Sequence, residues 1–268
     1  MPRNLKKAFD VQACSACRPG CPLMASHLCA ESRRRFAECI PHRAVFTKGE
    51  DVYRQGDRTQ HFFIVSSGWI CLYMLLEDGR RQNVGFALPG DIIGYASDMA
   101  ADLDHSAVAV CNVTLCAVDR TAAAGIFAKS PEILGQVTDY LLWKTLQARH
   151  LITSIARKTA VERVAYLFYE LFLRIHRRDP VVGDTIAIPL TQGDIGDAVG
   201  LSSVHVCRML SSLRSDGVLS LRHGKLTVHD PERLGNLAGL DADSFLGGYP
   251  LGGNDDRNGG HGGKRAYG

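Results

Sequence analysis

Long apolar runs are missing from this 268-residue chain. No stretch approaches the ~20 residues that a membrane-spanning helix needs, and the N-terminus lacks the apolar core of a signal peptide. The expected setting is therefore the cytoplasm, with no membrane partner. A charge bias is missing too: 31 basic against 28 acidic residues leave a formal charge of +3. That balance is too near neutral to argue for nucleic acid by itself, so any such reading must rest on a motif. Nor does any motif pair a nucleophile with a base, and no phosphate-cradling glycine loop precedes a helix, so no enzyme class is indicated. What is present is a hydrophobic fraction of 46%, enough for two domains with cores of their own, and nine cysteines. In a reducing compartment those cysteines point to metal or redox chemistry rather than to structural disulfides.

The cysteines are unevenly spread. Residues 1–43 hold five of them, at positions 14, 17, 21, 29 and 39. Pro19 and Pro22 keep the first part of this segment from being helical, and a short helix is expected over Ala30–Ala37. Over 44–128 the pattern becomes short strands separated by Gly56-Asp57, Ser67-Gly68, Asp78-Gly79 and Pro89-Gly90-Asp91, which reads as a β-sandwich or barrel. The last of these strands is expected to run unbroken from Ser106 to Val118.

Ser130-Pro131 then opens a long helix, giving a 129–158 unit whose seam is Val137, Leu141, Lys144, Ala148, Leu151 and Ile155. Steps of three and four are the heptad pattern of a two-stranded coiled coil; the alternative is a helix packed on its own β-domain. A second helix over Glu162–Arg178 and a strand over Ile186–Leu190 open the final unit, 159–238. The Gly-rich tail, 239–268, is expected to be disordered.

Within that final unit, Thr191–Leu219 carries two helical periods interrupted at Gly200-Leu201-Ser202. Ser202 is placed to cap the second helix and Gly217 follows its end. Two helices joined by a short glycine turn are helix-turn-helix grammar, whose second helix enters the DNA major groove. Leu219-Ser220-Leu221 and Leu226-Thr227-Val228 alternate around His223-Gly224-Lys225 as a hairpin wing should. The fold class expected is α+β.

The order of parts, with SSGWICLYMLLEDGRRQNVGFALPGDIIGY, SPEIL, ERVAYLFY and LTQGDIGDAVGLSSVHVCRML, resembles the cyclic-AMP receptor/FNR superfamily of bacterial transcription regulators over roughly residues 44–235. The resemblance implies an N-terminal β-roll, a long dimerisation helix and a winged helix-turn-helix. It also implies a palindromic DNA site read by a homodimer, and RNA polymerase as a partner. The cyclic-nucleotide branch needs a glutamate after the PGD turn and an arginine before Ser/Thr-Ala. Here Tyr95 and His105 stand near those places, and a neutral histidine cannot fork a cyclic phosphate, which argues against cAMP.

The oxygen-sensing FNR branch holds a [4Fe–4S] cluster on three N-terminal cysteines and one in the β-roll. In the phrase VTLCAVD, Cys116 matches the family's internal ligand, and the resemblance favours Cys17, Cys21 and Cys29 beside it, with Cys14 as a substitute. The spacing departs from the family's, so a zinc knuckle or a metal-free thiol patch stays open. So does a haem-type module sensing nitric oxide or carbon monoxide. Cys111, five residues from Cys116, faces the other way if the strand is unbroken.

For DNA, the exposed first turns of the second helix carry Ser203, Val204, Cys207 and Arg208. The resemblance gives Arg208 the role of pairing with guanine O6 and N7. Val204 stands where many relatives carry glutamate, and can only pack on an apolar group such as a thymine methyl. Thr191 and Ser202 are candidate phosphate contacts. Cys207 is either a small filler or a redox brake whose oxidation would set negative charge beside phosphate.

Overall fold

The computed structural model describes residues 9–10, 42–95, 102–179 and 183–247. Cys14, Cys17, Cys21, Cys29, Cys39, the helix expected over 30–37 and the tail beyond 247 lie outside the described residues.

Among the described residues nine strands build the first domain: β1 (Phe9–Asp10), β2 (His42–Phe46), β3 (Asp51–Tyr53), β4 (His61–Ser67), β5 (Ile70–Leu75), β6 (Arg81–Ala87), β7 (Ile92–Ile93), β8 (Ser106–Ala109) and β9 (Val113–Asp119). They form two antiparallel sheets, ordered β1-β2-β9-β4-β7 and β3-β8-β5-β6. Alternation decides what each strand buries. Phe63, Val65, Leu115 and Ala117 belong to one core with Ile70 and Ala107, whereas their neighbours Phe62, Ile64, Cys116 and Val118 belong to a second core shared with the helices.

The expected strand over 106–118 is in fact two. The chain leaves one sheet after Ala109 and joins the other at Val113. At the corner Val110 N donates to Trp69 O at 3.1 Å, and Cys111 Sγ accepts from Trp69 N at 3.3 Å. Cys111 therefore sits in the break, and parity along one strand does not relate it to Cys116.

After a short helix, α1 (Arg120–Phe127), comes α2 (Pro131–Arg157), 27 residues long with proline in its first turn, where a missing N–H costs nothing. Its buried face is Ile133, Tyr140, Trp143 and Ser154. Next, α3 (Ala160–Arg178) starts at a capping box made by Thr159 and Glu162 and is buried along most of its length. The winged head follows: β10 (Thr185–Ala187), α4 (Gln192–Val199), α5 (Ser203–Ser215), β11 (Leu219–Arg222) and β12 (Lys225–Val228), closed by α6 (Pro231–Ala238). The strand expected over 186–190 is shorter and starts one residue earlier.

The tail expectation needs correction. Residues 239–247 fold: α7 (Ala242–Leu246) buries Phe245 completely, and Leu240 is 6% exposed. The Phe245 ring meets Trp143 of α2 edge-on at 5.7 Å and His150 at 6.0 Å, and its carbonyl accepts from Trp143 Nε1 at 3.0 Å. Composition rich in glycine predicted disorder, but one aromatic with a preformed partner offsets it.

Two further contacts join the head to the β-domain. Asp91, of the Pro-Gly-Asp turn, is fully buried and paired with Arg174 and with Arg178 (2.6 Å), while Arg174 also pairs with Glu170 at 2.8 Å. Burial pushes the Asp91 carboxyl up, but Arg174, Arg178 and Lys144 outweigh it and hold it at about 2. Separately, Gln82 Nε2 donates to Asp197 O at 2.8 Å and Asn83 Nδ2 to Asp194 O at 2.9 Å, so β6 grips α4 by its backbone.

Candidate nucleic-acid interface

The turn between α4 and α5 is fixed by glycines. Gly200 adopts φ +68°, the left-handed geometry that ends α4. A Cβ on Gly196 would collide with the Leu201 carbonyl, so α4 can approach the turn only without a side chain there. Ile195, Ala198, Val199, Val206 and Leu213 are buried beneath it and hold the two helices together. In the wing, His223 and Gly224 both take positive φ, as a two-residue hairpin turn of type I′ demands.

These constraints decide which faces remain outside. Ser202 caps α5, its Oγ accepting from His205 N at 3.3 Å and its hydroxyl hydrogen still available to a phosphate. Ser203, Val204, Cys207 and Arg208 are exposed, Val204 at 70%. Among the described residues Arg208 makes no hydrogen bond or ion pair, so its guanidinium is presented outward. With Gln192 and Ser211 these side chains line a concavity of about 470 Å³.

Thr191 is placed differently: its hydroxyl donates to Asp194 Oδ2 at 2.6 Å and accepts from Asp194 N at 3.1 Å, so the α4 cap occupies it. Sequence reasoning passed over Gln192 and Ser211, which only the helix crossing brings to the same face. It also passed over Arg222, His223 and Lys225, exposed at the wing tip, whose basic character was visible in the sequence.

The cyclic nucleotide-binding family model matches residues 43–130, and the Crp-like helix-turn-helix family model matches residues 162–237. The nitrogen fixation regulation protein FixK of Bradyrhizobium diazoefficiens is 32% identical over 225 residues, spanning 84% of this chain and 93% of that protein. The chain belongs to the Crp/Fnr family of transcription regulators. Another similar member is the transcriptional activator protein FnrL of Cereibacter sphaeroides, 30% identical over 244 residues (86% of this chain, 94% of that one). Among solved structures, FixK2 from Bradyrhizobium japonicum has a TM-score of 0.66 at 28% identity, covering 74% of this chain and 98% of that one.

In this Crp/Fnr regulator both His105 and Tyr95 are described. His105 Nε2 lies 2.8 Å from the Tyr53 hydroxyl and its Nδ1 2.6 Å from Asp104 Oδ1. Tyr95 is 40% exposed. The adjoining cavity, about 780 Å³, is lined by Asp102, Asp104 and Glu170 as well as Lys144 and His105. Of these carboxylates, Asp102 pairs with Arg58 and Glu170 with Arg174 at 2.8 Å.

Of the metal candidates, Cys116 is described: 4% exposed on β9, beside Arg43 of β2 and Ile64 of β4. Among the described residues no group of three or more His, Cys, Asp or Glu could hold a metal ion, and the partner cysteines lie outside them. Among the described residues, too, no helix is long and apolar enough to cross a membrane.

The seam of α2 divides. Leu141 and Ala148 are exposed; Val137, Lys144, Leu151 and Ile155 are partly buried, with Val137 and Leu151 packed on the protomer's own core. Lys144 turns its ammonium to Gln147 Oε1 at 2.8 Å, and burial lowers its pKa to about 8. Leu134 (46%), Leu142 (64%) and Ile152 (66%) are exposed as well.

Proposed function

We propose that this Crp/Fnr regulator is a homodimer that binds a palindromic DNA site, contacts RNA polymerase, and responds to oxygen through a [4Fe–4S] cluster. The cluster ligands are Cys116 and three of Cys14, Cys17, Cys21 and Cys29, with Cys17, Cys21 and Cys29 preferred. Dimerisation uses the exposed stripe of α2, Leu134, Leu141, Ala148 and Ile152, flanked by Val137, Lys144, Leu151 and Ile155. Apolar residues spaced by seven, seven and four on a face turned to solvent leave apolar area that a second helix can cover. Arg208 reads guanine, Ser203 and Val204 line the same groove face, and Ser202 and Thr191 lie nearest the phosphates.

The observation that carries the sensor reading is a row across the first sheet. Asp10 pairs with Arg43, and Arg43 pairs with Cys116. Asp10 is thus two strands away from Cys116, roughly 10 Å. Cys14 lies four residue steps beyond Asp10, enough to span about 14 Å when extended. The cysteine-bearing segment therefore starts within reach of Cys116, whose side chain belongs to the outer face of the sheet rather than to the sandwich interior. When bound, an iron–sulfur cluster supplies oxygen-sensitive redox chemistry. This chain's part is to supply soft thiolates, one of them on a rigid strand, and to link that strand to α2. Cyclic AMP does not fit, because His105 is engaged with Tyr53 and Asp104 where a guanidinium is needed.

The test is the visible spectrum of the full chain purified without air. A broad shoulder that bleaches in air is expected, absent in Cys116→Ser and retained in Cys111→Ser. A sharp Soret band would show haem, and a blank spectrum would show a metal-free regulator. That second reading has an observation of its own: Cys207 is exposed next to Arg208, so its oxidation alone could block the groove contact.

A further inference from the structure

We infer that Gln192 is a specificity-determining residue that reads adenine beside the guanine of Arg208, while Val204 and Cys207 form an apolar wall for a thymine methyl. This rests on α5 being the recognition helix, and it goes further by naming the bases of the half-site.

The first observation is position. Gln192 is the first residue of α4, yet its side chain lines the same concavity as Val204, Cys207, Arg208 and Ser211 of α5. The second is what that concavity lacks. The recognition helix, SVHVCRMLSSLRS, contains no acid, so no carboxylate is available to accept from a cytosine amine. Gln192 carries the one side-chain amide there. A planar group with a donor and an acceptor side by side matches adenine, whose N7 accepts and whose N6 donates in the major groove.

The third observation is that this amide is uncommitted. Among the described residues Gln192 makes no side-chain hydrogen bond. Two other glutamines near helix surfaces are occupied: Gln82 donates to Asp197 O, and Gln147 donates to Glu170. Its neighbour Thr191 is occupied by the cap, and β6 holds α4 through Asp194 O and Asp197 O. The helix that presents Gln192 is therefore fixed in place, while the amide itself faces solvent and is free to exchange water for a base edge.

The remaining wall is apolar. Val204 is 70% exposed and Cys207 follows one turn later on the same face. Neither offers a strong acceptor, and both suit the methyl that distinguishes thymine from cytosine at the major-groove edge.

The experiment begins with a duplex selected from a random pool by the full chain. Each adenine in the selected half-site is replaced in turn by 7-deazaadenine, which removes N7 alone, and each thymine by deoxyuridine. At one adenine per half-site the parent should lose roughly tenfold or more in affinity. Gln192→Ala should lose as much on the unmodified site and nothing further on the modified one. Gln192→Glu, which can only accept, should shift the preference at that position towards cytosine. One deoxyuridine should weaken the parent severalfold and Val204→Ala little.

Equal weakening of Gln192→Ala on selected and random duplexes, with the 7-deazaadenine penalty intact, would make Gln192 a backbone contact and overturn the inference. An unchanged affinity would overturn it as well. Arg208→Ala keeps the two levels apart: if it too leaves selected and random duplexes equally bound, the recognition-helix reading itself fails.

Discussion

Replacing Phe245 by alanine removes a buried aromatic that ties the end of the winged head to the long helix. The ring is completely buried and stands edge-on to Trp143 at 5.7 Å and to His150 at 6.0 Å. Burying a phenylalanine takes at least ~150 Å² from water, worth about 4 kcal/mol at ~25 cal/mol per Å². A residual cavity adds to this and partial relaxation subtracts from it, so the expected loss is about 3–5 kcal/mol. The Trp143 Nε1 bond goes to the Phe245 backbone carbonyl and remains possible in the variant, so the loss is one of packing. Urea unfolding at fixed protein concentration is the assay, because a dimer's stability depends on concentration. Tryptophan emission reports the site directly, since Trp143 is one of two tryptophans in the chain. Ser244→Ala, on the exposed neighbour, should stay within ~0.5 kcal/mol. A Phe245→Ala stability within ~1 kcal/mol of the parent, with unchanged emission, would refute the argument that residues 239–247 belong to the folded core.

Acid should loosen the joint between the domains. The Asp91 carboxyl is held at about 2 in the fold, against ~3.9 unfolded, so its contribution of about 2–3 kcal/mol is present above pH ~4 and is lost as the pH falls towards 2. Asp91→Asn should flatten that part of the stability profile; an unaltered acid limb would dismiss the carboxylate as its source. Leu141→Asp with Ile152→Asp should give a monomer by sedimentation, because both side chains face solvent on α2; a mutant that stays fully dimeric would place the interface elsewhere. Peroxide should weaken DNA binding of metal-free protein, and Cys207→Ser should bind normally when reduced and resist peroxide. Equal loss in both proteins would reduce Cys207 to a filler.

The parts of the fold set by local rules were readable in the residues themselves. Ser202, Gly200 and Gly217 bound the recognition helix where their conformational preferences require, and His223-Gly224 forms the wing turn. What could not be read depends on distant partners. Gln192 joins the recognition face only because two helices cross, and nothing near Phe245 in the sequence points to Trp143, more than a hundred residues earlier. The break at Val110–Asn112 was hidden for a related reason: both halves alternate as strands, and only the exchange between sheets shows that they are separate. The α2 seam was partly legible. Its heptad phase identified Leu141 and Ala148, but the burial of Val137 and Leu151 against the protomer's own core decides which neighbours face outward.

The grip of Gln82 and Asn83 on α4 has a bearing on how such a protein can change over generations. Both amides donate to main-chain oxygens, and a main-chain oxygen is present whatever residue stands at that position. Residues on the outward side of α4 and α5 can therefore be exchanged without loosening the hold of the first domain on the second. New operator sequences become accessible one substitution at a time while the contact between the two domains is inherited intact. Changes at Gln82 or Asn83 have the opposite character: they would loosen the hold between the domains and leave the DNA-facing side chains as they were.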